Sequence, residues 1–308
     1  MISFEERKGI FRNEDYQKAF DEQGFVVVPF MSSNTIQNLS AIYKDCYPDG
    51  VEGFFSTTFA NNIAHREKVN SSIKEECIDR LNELFVDYKI FFSSFIVKAP
   101  GKESELIMHQ DMTLVDENQY AGINVWSPMI DLNDTNGAIE VLPKSHRFFK
   151  TYRGSSIPDI YDNVVEEVKS ILIPQYLKAG EAIIFDQSII HYSPPNLSEV
   201  ERPVINTFVT HTDAKIKICY WDKETYGNTI EVFEQEDDFL EKFENFGHNI
   251  FAKPSIGRSL GKVPYTFPKL DVSILENELG ISIKTEKTSD IVNNEKRKSW
   301  FQSLFSSK

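Results

Sequence analysis

Residues 105–115 read ELIMHQDMTLV, and this run decides the fold class. It is short and mostly apolar, and it sets His109 and Asp111 two residues apart. Comparable β-rich runs occur between residues 91 and 211, separated by Gly, Pro, Asn and Asp. They are FFSSFIVKA, YAGINVWSPMI, GAIEVLP, EAIIFD, SIIHYS and PVINTFVTH. About eight such strands are typical of a jelly roll, which is the fold that this pattern predicts.

The sequence before these strands has a mainly helical pattern. Residues 14–24 and 72–90 carry apolar side chains at helical spacing, which predicts two amphipathic helices. Between them, FVVVPF at residues 25–30 predicts a strand. A pair of serines follows this strand, and either could cap a further helix that runs to about Cys46.

We therefore predict an α+β protein in three parts. Residues 1–90 form a mainly helical part that packs on the core, and residues 91–212 form the catalytic jelly roll. Residues 213–308 form a C-terminal extension, with a strand and then a helix expected over residues 229–246. About the last 13 residues, KRKSWFQSLFSSK, are basic with interleaved aromatics. We expect a frayed tail there rather than a segment that docks on a partner or an anionic surface.

Composition narrows the classes of function. The chain has 33 Lys and Arg against 47 Asp and Glu, a net charge of −14. Such a surface repels phosphate backbones, which argues against nucleic acid and, more mildly, against a coenzyme A carrier. No apolar run approaches membrane-spanning length, and the start, MISFEERKGIF, lacks the apolar stretch of a signal peptide. Cys46, Cys77 and Cys219 show no C-x-x-C spacing, so neither a disulfide framework nor a zinc site is expected. We expect a cytoplasmic protein.

The pattern His109-Gln-Asp111 indicates a metal site. Side chains two residues apart on a strand point to the same face, so His109 and Asp111 can reach one ion together. His191, on another β-rich run, can complete a triangular face. Two imidazoles and one carboxylate leave three positions open, as in non-haem Fe(II) oxygenases. The H-x-D motif alone is a weak signal, because one chance match is unsurprising in a chain with six histidines.

Arg202 lies eleven residues after His191 and is predicted to return on the next strand. A guanidinium forms a two-pronged ion pair with a carboxylate. The distal carboxylate of 2-oxoglutarate needs such a partner, because the other end of that molecule chelates iron. A surface salt bridge is the alternative role for Arg202.

Four segments together resemble the phytanoyl-CoA dioxygenase-like oxygenases. They are HQD at 109–111, Trp126 eleven residues before Gly137, GAIEVLPKSH at 137–146, and H-x-S-x-x-N-x(5)-R at 191–202. The resemblance covers roughly residues 90–212, with looser similarity in FDEQGFVVVPF.

The resemblance implies a double-stranded β-helix of the cupin-like type. It also implies Fe(II) on His109, Asp111 and His191. Arg202 would pair with the C5 carboxylate of 2-oxoglutarate, assisted by Ser193, and Trp126 would line the cosubstrate pocket. The implied reaction uses O2 to hydroxylate a C–H bond and releases succinate and CO2.

Two details of the resemblance refine the expected chemistry. The family often has Pro-Gly-Ser-His where this chain has PKSH at residues 143–146, so Lys144 stands in place of a glycine. We interpret His146 in this loop as structural rather than as a metal ligand. Asp111 is retained, whereas related halogenases replace that carboxylate by a small residue, so halogenation is disfavoured.

The substrate contacts are predicted from position alone. Phe95 and Lys98 lie on the run before HQD, and Lys98 either pairs with a substrate carboxylate or is simply exposed. Gln110 should point away from the metal unless its strand bends. Asn124 shares a strand face with Trp126. We expect the stretch at residues 53–68 to form a loop that could serve as a lid, and the region after residue 213 could cover the barrel mouth. These last two expectations rest on position in the chain only.

Three functions remain open at this point. The first is a hydroxylase of a small molecule, which a narrow apolar cavity would favour. The second is a hydroxylase of a peptide or protein, which an open groove would favour. The third is a metal-binding jelly roll without oxygenase activity, which the complete triad and Arg202 disfavour.

Overall fold

The fold is taken from a computed structural model that describes residues 7–242 and 251–283. Within these residues the α-helices are α1 (Glu14–Gln23), α2 (Ser33–Cys46), α3 (Ile63–Leu84), α4 (Val165–Lys169), α5 (Phe239–Lys242) and α6 (Val272–Leu279). The strands are β1 (Phe25–Pro29), β2 (Phe54–Ser56), β3 (Tyr88–Lys98), β4 (Leu106–His109), β5 (Ile123–Pro128), β6 (Glu140–Val141), β7 (Ile173–Pro174), β8 (Glu181–Asp186), β9 (His191–Ser193), β10 (Arg202–His211), β11 (Ile216–Tyr220), β12 (Thr229–Gln235) and β13 (Arg258–Pro264).

Two antiparallel sheets face each other and form the core of the fold. The major sheet has the order β1-β8-β5-β10-β3-β2, and the minor sheet has the order β4-β9-β6-β7. Apolar side chains from both sheets pack in one cluster, including Trp126, Val141, Ile183 and Val204. This arrangement confirms the α+β, double-stranded β-helix fold that the sequence predicts.

The N-terminal helices cover the outer face of the major sheet. Phe20, Leu39 and Ile73 of these helices pack against Phe95 and Val97 of β3 in a single buried cluster. Because side chains alternate along a strand, these two β3 residues point away from the space between the sheets. The helices therefore stabilise the sheet from outside and leave its inner face to the functional site.

The boundaries of the N-terminal elements follow local signals. Asn13 caps α1, and Gly24 ends it with a φ of +86°. Ser32 caps α2 through its side chain. The predicted helices at 14–24 and 33–46 and the strand at 25–30 are confirmed, and β1 joins the edge of the major sheet beside β8.

The stretch at residues 53–68 is not a loop, contrary to the expectation. It contains β2, which pairs with β3, a short 3-10 turn, and the first residues of α3. Helix α3 spans Ile63–Leu84, whereas the apolar pattern predicted a helix over residues 72–90, and residues 88–90 belong to β3 instead. The pattern misses the first turns of α3 because polar Arg66 and Asn70 lie on its buried face. The Asn70 side chain accepts a hydrogen bond from the Ser93 backbone N–H at 2.8 Å, a contact that only the tertiary structure provides.

The C-terminal region adds a third sheet of order β11-β12-β13. The predicted succession of strand and helix over residues 229–246 is found as β12 and α5, up to residue 242. The predicted tail, residues 296–308, lies outside the described residues. None of the helices in the described ranges is long and apolar enough to cross a membrane.

Candidate metal and cosubstrate site

The three predicted metal ligands meet on the inner face of the minor sheet. His109 ends β4 and lies opposite His191, the first residue of β9. Asp111 follows just beyond the strand, where its backbone N–H donates to the Gln187 carbonyl at 2.9 Å. One potential ligand atom from each of His109, Asp111 and His191 lies within 4.8 Å of the others. Among the described residues, no other His, Cys, Asp or Glu side chains form such a group of three or more.

Backbone contacts orient both imidazole rings. The Nδ1 atom of His109 is 2.8 Å from the Ile107 carbonyl, and that of His191 is 3.0 Å from the Ile189 carbonyl. Since a carbonyl oxygen can only accept, each Nδ1 carries the hydrogen and donates it. Each Nε2 is then left with a lone pair for a metal, which is the usual arrangement of a metal-binding histidine. Burial lowers the pKa of His191 to about 4, so this ring is neutral at pH 7.

A relay of amides holds the third ligand. The Nδ2 of Asn124 donates to Oδ2 of Asp111 at 2.6 Å, and the Nδ2 of Asn206 donates to Oδ1 of Asn124 at 3.1 Å. The other Asp111 oxygen, Oδ1, lies 3.5 Å from His109 Nε2. Burial raises the pKa of Asp111, but contacts with the two histidines and Asn124 outweigh it and lower that pKa overall. Asp111 is therefore an anion, the state that binds a metal.

Arg153 supports the backbone that carries Asp111. Its Nε donates to the Asp111 carbonyl at 2.6 Å, and its two terminal nitrogens donate to the Glu117 carboxylate. The side chain is buried, and Glu117 balances its charge. No local pattern in the sequence points to Arg153, because it lies 42 residues from Asp111 along the chain.

Arg202 is a buried cation whose guanidinium has hydrogen-bond donors without partners among the described residues. It is 1% exposed, and its guanidinium carbon lies 5.2 Å from the centre of the Trp126 ring. Its Nε and Nη1 have no hydrogen-bond partner among the residues that the structure describes. Burial lowers its pKa to about 9, so it stays charged at pH 7. A carboxylate would satisfy both the charge and the donors, so these residues fit the distal end of 2-oxoglutarate.

Ser193 and Gly137 shape the wall beside Arg202. The Ser193 hydroxyl donates to the Gly137 carbonyl at 2.9 Å, and Ser193 lines the cavity. Gly137 has a φ of +73°, and a Cβ there would lie 2.6 Å from the Pro194 carbonyl oxygen. Glycine is therefore required at this close approach, which explains the Gly137 of the sequence motif.

Asn196, the asparagine of the H-x-S-x-x-N motif, pins the turn between β9 and β10. Its Nδ2 donates to the carbonyls of Lys98 and Val200, and its backbone N–H donates to the Ser104 hydroxyl. The residue is fully buried. By holding this turn, Asn196 sets where β10 begins and thus where Arg202 enters the site.

The metal and cosubstrate residues line one cavity of about 260 Å³. Its remaining walls are mostly apolar and include Phe54, Phe59, Phe92, Leu106, Met112, Leu114, Phe208 and Leu240. Phe54 and Phe59 come from the stretch that was expected to act as a lid. Leu240 belongs to α5, so the C-terminal extension contributes to the cavity.

Two of the four predicted substrate residues line this cavity and two do not. Asn124 and Gln110 are part of its wall. Gln110 turns inward because β4 ends at His109 with an irregular register, which interrupts the strand alternation. Phe95 lies instead in the outer core, and Lys98 donates to the carbonyls of Ser193 and Pro194, both at 2.7 Å. The predictions for Phe95 and Lys98 are therefore corrected.

His146 lies outside the cavity, consistent with a structural role. Its Nε2 is 3.1 Å from the Asp21 carbonyl, and the side chain is 2% exposed. Lys144, which replaces the glycine of the family pattern, has a φ of +68°. This residue keeps the left-handed turn that glycine would adopt more easily.

Comparisons with known proteins bear on the same region. The family model described as phytanoyl-CoA dioxygenase matches residues 20–204. Phytanoyl-CoA dioxygenase 1 of Oryza sativa subsp. japonica is 27% identical over 139 residues, which are 44% of this chain and 47% of that protein. Phytanoyl-CoA dioxygenase domain-containing protein 1 of Danio rerio is 23% identical over 67% of this chain and 66% of that protein. The chain thus spans about half to two thirds of the length of these curated relatives.

Two solved structures illustrate the similarity in the course of the chain. The non-haem alpha-ketoglutarate-dependent carbocyclase SnoK from nogalamycin biosynthesis is 16% identical, with a TM-score of 0.47 over 66% of this chain and 86% of that one. EctD from S. alaskensis, in its apo form, is also 16% identical, with a TM-score of 0.47 over 68% of this chain and 82% of that one.

Proposed function

Because the chain belongs to the phytanoyl-CoA dioxygenase family, we propose that it is an Fe(II)- and 2-oxoglutarate-dependent dioxygenase. It hydroxylates an unactivated C–H bond of a small organic molecule and releases succinate and CO2. One observation carries this proposal: a two-histidine, one-carboxylate triad shares a cavity with a buried arginine whose donors have no partner among the described residues.

Different residues of the cavity would bind the metal and the cosubstrate. His109 and His191 would hold Fe(II) through Nε2, and Asp111 would hold it through the oxygen that Asn124 leaves free. Arg202 would bind the C5 carboxylate of 2-oxoglutarate, with Trp126 against its face. When bound, ferrous iron and 2-oxoglutarate supply the electrons that activate O2.

The remaining walls of the cavity exclude water from the reacting groups. They are mostly apolar, and Trp126 and Phe185 stand next to Arg202 and His191 respectively. A dry cavity strengthens the ion pair at Arg202 and protects reactive species from side reactions.

A small-molecule substrate is favoured over a peptide. A peptide hydroxylase requires an extended groove, whereas the described residues form a cavity of about 260 Å³ whose walls come from both facing sheets and α5. The acidic surface supports the absence of a nucleic-acid partner. A non-catalytic metal-binding protein has no use for a buried arginine with unpaired donors, because such a group costs stability.

The test is succinate formation from 2-oxoglutarate by the purified protein with Fe(II) and O2. We expect turnover in the wild type, including slow uncoupled turnover without substrate, and its loss in His109→Ala. His65→Ala, on α3 and outside the cavity, is the matched control and should keep its turnover. Equal turnover in wild type and His109→Ala would refute the ligand assignment. Absence of both turnover and ferrous binding in the wild type would refute the function.

A further inference from the structure

Three residues of the cavity wall each carry a buried amide oxygen that no described residue hydrogen-bonds. These oxygens are Oε1 of Gln110, Oε1 of Gln187 and Oδ1 of Asn206. All three residues line the same cavity as the metal ligands. A buried polar atom without a partner is uncommon in folded proteins and costs free energy, so each one requires an explanation.

The chemistry of the neighbouring groups identifies two of these atoms as acceptors. The Asp111 carboxylate can only accept, so Asn124 turns its Nδ2 to it and its Oδ1 to Asn206. Asn206 must then donate its Nδ2 to Asn124, which leaves its Oδ1 without a partner in the cavity wall. Gln110 donates its Nε2 to the Ser188 carbonyl, and its Oε1 is left free in the same way.

The position of Asn206 separates it from the cosubstrate end. It follows Arg202 by four residues on β10, which places it on the same strand face at a distance of roughly 13 Å. There it lies beside Asn124 and thus beside the Asp111 carboxylate. Phe208, the next residue on that face, continues the cavity wall. The unpaired acceptors therefore lie near the metal, away from the arginine assigned to 2-oxoglutarate.

The same part of the cavity offers no uncommitted basic side chain to an acid. Apart from His109 and His191, which are assigned to the metal, the basic residues that line it in the described chain are Arg153 and Arg202. Glu117 and the Asp111 carbonyl engage Arg153, and Arg202 is assigned to 2-oxoglutarate. A substrate carboxylate or phosphate would thus meet unpaired amide oxygens rather than an uncommitted basic side chain.

We propose that the substrate is a compact molecule with an apolar body and an N–H or O–H donor, and that it carries no carboxylate or phosphate. Gln110 and Asn206 accept hydrogen bonds from the donor group, and the phenylalanine-rich walls contact the body. This proposal rests on the oxygenase function, since it names the substrate class of the same site. It assigns to Asn206 a second role beside its support of Asn124.

The test uses four probes with one phenethyl skeleton: phenethylamine, phenethyl alcohol, ethylbenzene and hydrocinnamate. Their binding is measured by calorimetry on full-length protein loaded with 2-oxoglutarate and Zn(II), which replaces Fe(II) to prevent turnover. The amine or the alcohol should bind at least about tenfold more tightly than ethylbenzene, because only they satisfy the unpaired acceptors. Hydrocinnamate should bind no better than ethylbenzene.

Two variants then test whether Asn206 and Gln110 produce the preference for the donor probes over ethylbenzene. Asn206→Leu and Gln110→Met should each reduce the preference for the donor probes over ethylbenzene several-fold. The binding of ethylbenzene to the same variant shows that the cavity is intact. Thr58→Val is the control: it removes another hydroxyl from the cavity wall, but that hydroxyl already accepts from Ser56, so the preference should persist.

Tightest binding by hydrocinnamate, equal binding by all four probes, or no binding by any of them would overturn the proposal. An unchanged preference in both Asn206→Leu and Gln110→Met would overturn the assignment of the acceptors. Failure of the oxygenase function is distinguishable, because the protein would then bind neither Fe(II) nor 2-oxoglutarate in the absence of probes.

Discussion

Arg202 occupies an environment that disfavours its charge. It is buried against Trp126, and the structure gives its Nε and Nη1 no partner among the described residues. A buried ion without compensation destabilises a protein. The chain therefore carries a cost at this residue in the unliganded state, which binding of a carboxylate would offset.

The substitution Arg202→Met separates the contribution of this side chain to 2-oxoglutarate binding from its cost to the stability of the unliganded protein. We expect the KM for 2-oxoglutarate to rise by about 100-fold, which corresponds to roughly 3 kcal/mol of lost binding. The unliganded variant should be as stable as the wild type or more stable, because the uncompensated charge is gone. Steady-state kinetics and thermal unfolding measure the two quantities. An unchanged KM would remove Arg202 from the cosubstrate site.

His146 is the residue for which a pH dependence is expected. Burial lowers its pKa from about 6.5 to about 4, which outweighs Asp186 and the Asp21 carbonyl; Arg7 and Arg147 add to the lowering. The folded state thus favours the neutral ring. Above pH 6.5 the ring is neutral in both states, and stability is lost as the pH falls from 6.5 to 4, because only the unfolded state gains the proton.

The expected loss from this histidine is about 3 kcal/mol of unfolding free energy over that range. His146→Gln should remove this part of the pH dependence, so the unfolding free energy of the wild type should fall relative to that of the variant as the pH drops from 7 to 4.5. Urea unfolding at a series of pH values measures the difference. Curves that stay parallel between pH 7 and pH 4.5 would show that His146 does not titrate as described.

At the scale of elements, strand alternation divides β3 between two environments. Phe92, Ser94 and Ile96 line the cavity, whereas Phe95 and Val97 pack under the N-terminal helices. The alternation itself could be read from the sequence. Which of the two faces would meet the cavity could not, because that depends on where the helices pack.

The loop before β6 carries a strict steric requirement. Gly137→Ala should cost about 3 kcal/mol of stability, since the new Cβ would lie 2.6 Å from the Pro194 carbonyl at a φ of +73°. Gly227→Ala is the matched control: its φ is +52°, but no atom lies within 4 Å of the added Cβ. This control should cost only about 1 kcal/mol. Chemical unfolding compares them, and equal losses would contradict the steric explanation.

Local signals predicted several elements well. Ser32, one of the two serines predicted to cap α2, begins that helix, and Gly24 ends α1 where the pattern predicts its end. The first turns of α3 were missed because buried Arg66 and Asn70 break its apolar stripe. Burial of polar residues depends on distant partners, so a local pattern does not reveal it.

At the scale of the whole molecule, the cavity joins parts of the chain that are far apart. Its walls come from both sheets, from the segment around Phe54, and from α5 of the C-terminal extension. Ligands that bind across these parts stabilise the folded state only, so they should shift the unfolding equilibrium.

Fe(II) under anaerobic conditions together with 2-oxoglutarate should raise the melting temperature. A free ligand concentration about 100 times its Kd adds roughly 3 kcal/mol to the free energy of unfolding. A chelator should reverse the effect, and His109→Ala should abolish the part that depends on metal. Differential scanning calorimetry measures the shift. The same shift in wild type and His109→Ala would show that the ions bind elsewhere.

The amino-acid sequence by itself indicated the strand-rich core and placed His109 and Asp111 on one strand face. These features follow from residue type and short spacing, because alternation on a strand and the chemistry of each side chain are local properties. The roles of His191, Arg202 and Trp126 at one site followed from the matched motifs of the family resemblance. The tertiary structure alone decided that Phe95 faces the N-terminal helices and that the carbonyls of Ser193 and Pro194 engage Lys98. It also decided that Gln110 turns inward and that Asn206 completes the relay behind Asp111. These outcomes depend on strand register, on the irregular end of β4 and on buried polar contacts between residues far apart in sequence, which only the packing of the two sheets fixes.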